Sequence, residues 1–143
     1  MDEKPDQVAL SEYILSLDGV EMTEAMDYKF FFYKDERLLP FTTLALTDNQ
    51  YEQVSNLSRP GVFRLNIGLT RATFEALFGS HQLDLSTYDF TALDTIMPHA
   101  DYAAQSFVCV LNPAATWGKV QELLAEAYQQ AVRRYLRKKA SSR

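Results

Sequence analysis

An arginine and an asparagine two residues apart inside an apolar run make a pairing that can grip an anion. The stretch RPGVFRLNIGL, residues 59–69, has this pattern. Side chains alternate across a strand, so Phe63, Leu65, Ile67 and Leu69 share one face while Val62, Arg64, Asn66 and Gly68 share the other. Arg64 carries a planar donor fork that fits a carboxylate or phosphate. Asn66 adds a donor and an acceptor, Gly68 leaves room above the sheet, and Arg59 stands in the turn just before. The competing reading is a solvated sheet face on which Arg64 pairs with an acid such as Asp48 or Glu52.

A second group lies in YDFTALDTIMPHADY, residues 88–102, which holds Asp89, Asp94, His99, Asp101 and Tyr102. His99 steered by Asp94 could act as an acid or base. The plainer alternative is a loop histidine bonded to backbone, with Asp94 capping a turn. The spacing matches no zinc or calcium motif. No GxSxG or comparable strained turn presents a serine, which argues against a Ser-His-Asp triad. Cys109, between Val108 and Val110, reads as a small core hydrophobe. Without a glycine-rich phosphate loop, dinucleotide fingerprint or CxxC, no cofactor is implied.

These residues need elements to position them. DQVALSEYILSLDG reads as a short amphipathic helix that Asp6 can cap and Gly19 can end. Val20–Ala25 reads as an edge strand, and Lys29–Lys34 as an aromatic strand apolar on both faces and therefore central. Phe41–Thr47 and Val62–Leu69 are further strands, separated by a polar connector over 48–61. Thr70 can cap RATFEALF, which Gly79 ends. Residues 80–100 look irregular, Ser106–Asn112 is the last strand, and a strong i, i+3, i+4 stripe marks a helix from about Thr116 to Lys138. The order is α-β(4)-α-β-α. It predicts an α+β domain: a two-layer antiparallel sheet with helices on one face.

At 143 residues the chain fits one domain, 1–143, with a core of its own. The net charge of −5 hides an asymmetry: six of the fourteen basic residues lie in the tail over 133–143, so the first 132 residues carry a net of −11. Such a body repels phosphate backbones and argues against nucleic acid. The tail's cations suit a helix C-terminus, where they complement the macrodipole. The only cysteine, the polar start and the lack of a long apolar run point to a cytoplasmic chain that does not enter the membrane.

The blocks FFFY, PFTTLALTD, LSRPGVFRLNIG, LDTIMPH and VCVLNP together resemble a bacterial family known as domain of unknown function 6194, across nearly the whole chain. Met26 and Asp27 stand where that family usually has tryptophan and glycine, Ala100 where it has proline, and Phe107 where it has tryptophan. The resemblance brings no activity with it. More distantly, the chain is similar to the MmcQ/YjbR-like group, which implies a secretion-chaperone-like α+β fold; the acidic body speaks against that group's DNA-binding label.

The reading that follows is a non-enzymatic binding module for a small anionic ligand or a protein partner. Arg64, Asn66, His99, Tyr102, Asp94 and Arg59 are its candidate contacts. The alternatives are a chaperone-like or homodimeric interaction protein, and an enzyme with His99/Asp94 acid–base chemistry and Arg64 as substrate anchor. If the binding-module reading holds, Arg64→Ala leaves the melting temperature nearly unchanged while abolishing ligand-induced stabilisation; a large loss of stability with no ligand found means that Arg64 is structural.

Overall fold

The computed structural model describes residues 4–49 and 53–141. Six strands form one sheet: β1 (Val20–Ala25), β2 (Tyr28–Tyr33), β3 (Thr42–Ala45), β4 (Arg64–Gly68), β5 (Met97–Pro98) and β6 (Phe107–Leu111). Their order is β1-β2-β3-β4-β6-β5, and each named pair is antiparallel. Three α-helices accompany them: α1 (Gln7–Leu15), α2 (Arg71–Phe78) and α3 (Trp117–Ser141). The α+β class expected from the element order is what forms.

Alternation explains how the sheet meets the helices. Phe31, Leu44, Leu65, Ile67, Val108 and Val110 point to one face and are buried there. Leu10 and Ile14 of α1, Phe74 of α2, and Val120, Leu124 and Ala127 of α3 join the same cluster. Each fully buried aliphatic or aromatic side chain in it contributes roughly 1.5–3 kcal/mol. Val120, Leu123, Leu124, Ala127 and Ala131 of the periodic stripe of α3 are buried, while Leu136 at its far end is exposed.

The helix caps follow the sequence in three places and depart from it in one. Asp6 accepts a hydrogen bond from the Ala9 amide (2.8 Å), and Thr70 accepts one from the Thr73 amide (3.1 Å). Gly79 ends α2 in the left-handed conformation (φ 85°). Gly19 does not end α1, which stops at Leu15 with Ser16 as its cap. Gly19 instead turns the chain into β1 at φ 81°, where a Cβ would lie 2.7 Å from the Tyr33 ring.

The segment expected to be wholly irregular contains β5, which borders the sheet beside β6 through the pairs Met97↔Cys109 and Pro98↔Val108. Two residues show no alternation, so sequence periodicity cannot reveal such a strand. Proline is tolerated there because it lies on an edge strand. The His99 amide then donates to the Phe107 carbonyl (3.0 Å), extending the ladder by one bond.

At the opposite border lies β1, which among the described residues pairs only with β2 and carries Glu21 and Glu24; Glu21 accepts from Arg37 at 2.6 Å. The two strands are joined by Met26 and Asp27, both left-handed at φ 53° and 63°. A two-residue hairpin loop of this kind favours Asn-Gly. Met26, 85% exposed, gains no packing to offset its backbone strain. Met26→Asn is therefore expected to stabilise the fold by about 0.5–1 kcal/mol, read from urea unfolding, and an unchanged or lower midpoint would contradict it.

Among the described residues, no helix is long and apolar enough to cross a membrane.

Candidate functional site

The face of β4 that carries Arg64 is not solvated. Arg64 is 2% exposed and Asn66 4%. Ala45 and Leu111 flank Arg64 on the neighbouring strands, while Thr43 and Cys109 flank Asn66. Above them sits the connector that follows β3, whose Leu57 packs with Ala45 and Leu111. The connector is polar and has no period, so its role as a cover was not legible. Arg64 is therefore neither exposed nor paired with Asp48, whose carboxylate accepts from the Leu57 amide (2.9 Å) and holds the connector down. Glu52, the other acid expected to pair with Arg64, lies outside the described residues.

The guanidinium is aimed by several acceptors. Its Nε donates to Asn66 Oδ1 (2.9 Å), Nη1 to Ser55 Oγ (3.0 Å) and Nη2 to the Tyr28 hydroxyl (3.4 Å). Asn66 Nδ2 passes the chain on to Thr43 Oγ1 at 3.0 Å. The expected space above Gly68 is taken, since a Cβ there would lie 2.9 Å from the Phe107 ring.

His99 comes to the same place from the other connector. It is 4% exposed, and its Nδ1 accepts from the amides of Asp101 (3.0 Å) and Tyr102 (3.2 Å). Two N–H groups directed at one ring nitrogen require its lone pair, so the ring hydrogen sits on Nε2. Arg64, His99, Val54, Ser55, Phe90, Ala100 and Cys109 line one small recess, which leaves no room for a water molecule. Tyr102 packs on the His99 ring (5.0 Å between centroids) but is 56% exposed and lies outside the recess lining. Cys109 is buried at 2% exposure, as a core residue would be.

Asp94 is elsewhere. Its carboxylate accepts from the amides of Ala114 (2.7 Å), Ala115 (2.9 Å) and Thr116 (3.0 Å), and from Thr116 Oγ1 (2.6 Å). It therefore caps the start of α3 from more than twenty positions upstream of that helix and does not steer His99. Burial pushes its carboxyl up, but the Thr116 hydroxyl and the three amides outweigh that and bring it from 3.8 down to about 2. Arg59 is also a tie: it donates to the carbonyls of Asn56, Ser55 and Thr91, each at 2.9 Å, and so joins the two connectors over the sheet.

A further constellation escaped the sequence altogether. His81 Nε2 lies 2.8 Å from Ser106 Oγ, and its Nδ1 lies 2.9 Å from Glu75 Oε2. The ring stacks on Phe74 at 4.5 Å, and Ser106 is left-handed at φ 69°. The hydrogen bond from His81, then Arg71, lowers the Glu75 carboxyl. So a strained serine does exist, in the order of a Ser-His-carboxylate triad. However, the amides of Ser106 and Phe107 donate to the carbonyls of Ala103 and Tyr102, so neither is available to an oxyanion, and Ser106 is 6% exposed. The group acts as a strut from α2 to the start of β6. Its members are far apart in sequence, so no motif could have announced it.

Among the described residues, no three His, Cys, Asp or Glu side chains gather as a metal ion would need. No curated protein and no solved structure matches the chain. A family model matches residues 4–140, nearly its full length, under the description of a family of unknown function. The chain that folds its connectors over Arg64 and His99 belongs to that family, DUF6194.

Proposed function

We propose that the chain acts as a single-domain, non-enzymatic binding module for a small anionic group, with Arg64 as the principal contact. The observation that supports this is the meeting of Arg64 and His99 in one recess, although they lie 35 positions apart on different elements. A guanidinium held by Asn66 and Ser55 on a central strand is a pre-aimed planar fork, suited to carboxylate or phosphate. His99 adds an imidazole whose hydrogen sits on Nε2. Because Asp94 is committed to α3, His99 takes its orientation from backbone amides, which favours binding over acid–base chemistry. The recess admits no water as it stands, so a ligand enters only if its lining gives way. The likeness to the MmcQ/YjbR-like group belongs to this reading as a suggestion of fold kinship and adds no ligand.

The test is a titration with inorganic phosphate and with acetate at constant ionic strength, followed by NMR at Arg64 Nε–H and the Ser55 and Ala100 amides. Saturable shifts at these three are expected, with affinity about tenfold weaker in Arg64→Lys, which keeps the charge and loses the fork. Flat titrations with both anions would sink the proposal.

A further inference from the structure

A second concavity lies where the segment before β3, the end of β4, the start of β6 and α3 converge. It is a cleft of about 150 Å³, open to solvent. Phe41, Leu69 and Phe107 supply apolar walls, and Gln130 and Arg134 of α3 reach in from the side. Unlike the Arg64 recess, this cleft has room: at ~30 Å³ per water it holds about five.

The polar groups are fixed and incompletely used. Arg134 is 23% exposed at its side chain; its Nε lies 3.4 Å from Glu36 Oε1 and its Nη2 lies 3.3 Å from the Leu39 carbonyl. Those contacts occupy one edge of the fork. Nη1 has no hydrogen-bond partner among the described residues, which leaves the outer edge open for bidentate recognition. Gln130 is anchored through Nε2 to the Gly68 carbonyl (3.2 Å), and its Oε1 has no partner among the described residues. Glu36 is 3% exposed and also accepts from the Leu38 amide, so it holds the arginine from behind.

From this geometry we infer that the cleft binds a small organic carboxylate with a compact apolar body, of about six to nine non-hydrogen atoms. The carboxylate lies on the outer edge of the Arg134 guanidinium, and the apolar body lies between Phe41, Leu69 and Phe107. The fork discriminates by charge, since a neutral amide of the same shape presents one acceptor oxygen where a carboxylate presents two.

The experiment uses benzoate and its neutral isostere benzamide as probes, each titrated into the full chain at constant ionic strength and followed by amide chemical shifts. Benzoate is expected to shift Gly68, Leu69, Phe107 and Gln130 with a millimolar dissociation constant, and benzamide to bind about tenfold more weakly. Arg134→Gln should weaken benzoate by about tenfold while leaving the other amide shifts in place. Should that variant fail to fold, Gln105→Trp, which crowds the cleft from an exposed lining position and leaves the arginine untouched, should abolish the benzoate shifts. Equal binding of the two probes, no saturable shift at about 20 mM, or undiminished binding by the variant would each overturn the inference. Shifts confined to Ser55 and Ala100 would report the Arg64 recess instead and would also overturn it.

Discussion

Arg64→Leu is expected to lower the unfolding free energy by about 2–4 kcal/mol, a fall of roughly 7–13 °C in melting temperature for a chain of this length. The loss has two sources. Asn66 Oδ1 and Ser55 Oγ lose the donors that satisfy them at 2.9 and 3.0 Å, and they stay buried. Leucine also leaves part of the guanidinium's volume empty. Removing a buried charge offsets some of this, which is why the figure stays below the sum of the lost bonds. The unchanged melting temperature expected with the binding reading does not fit an Arg64 that is 2% exposed and bonded to buried partners. A double-mutant cycle with Asn66→Leu measures the coupling, expected to exceed about 1 kcal/mol. If Arg64→Leu were as stable as the parent, the network would contribute nothing to the fold.

The second large effect belongs to Asp94. Asp94→Asn is expected to cost about 2–3 kcal/mol at pH 7, because a charged acceptor of three amides and a hydroxyl at a helix start becomes a neutral one. The effect depends on pH in a defined direction. The folded carboxyl titrates at about 2 against an ordinary 3.8, so its ionised form is favoured by folding. That stabilisation is complete above 3.8 and is lost as pH falls from there through 2. Solvent screening at this partly exposed group limits the pH-dependent share to about 1–2 kcal/mol. Urea unfolding from pH 7 to pH 3 should show the gap between parent and variant narrowing at the acid end. A gap that stays constant would mean that the carboxylate's charge is not what caps α3.

The framework was legible wherever one physical period dominated. Leu65 and Ile67 alternate with Arg64 and Asn66, and the structure sends them to opposite faces. Val120, Leu124 and Ala127 repeat at helical spacing and are buried together. What was not legible depends on contacts without a period. The polar connector over Arg64 is fixed by single ties, Asp48 to Leu57 and Arg59 to Thr91, and ties of that kind leave no pattern in a sequence. The same holds for β5, whose two residues pair because His99 and Phe107 extend the ladder beside them. Among the candidate site residues, Arg64, Asn66 and His99 do come together. Asp94 and Arg59 serve as ties, and Tyr102 lies on the surface. The types of those side chains suggested chemistry, but burial and partners assigned their work.

The open border at β1 bears on how copies of this chain behave at high concentration. A strand edge of six residues with no partner among the described residues is a template on which another chain can add a strand and start an aggregate. Here the template is spoiled by its own side chains. Glu21 points to one face and Glu24 to the other, so a strand approaching from either side meets a carboxylate. The other border offers little to extend, being two residues long and ending in a proline. Sheet growth between copies is thus discouraged at both margins.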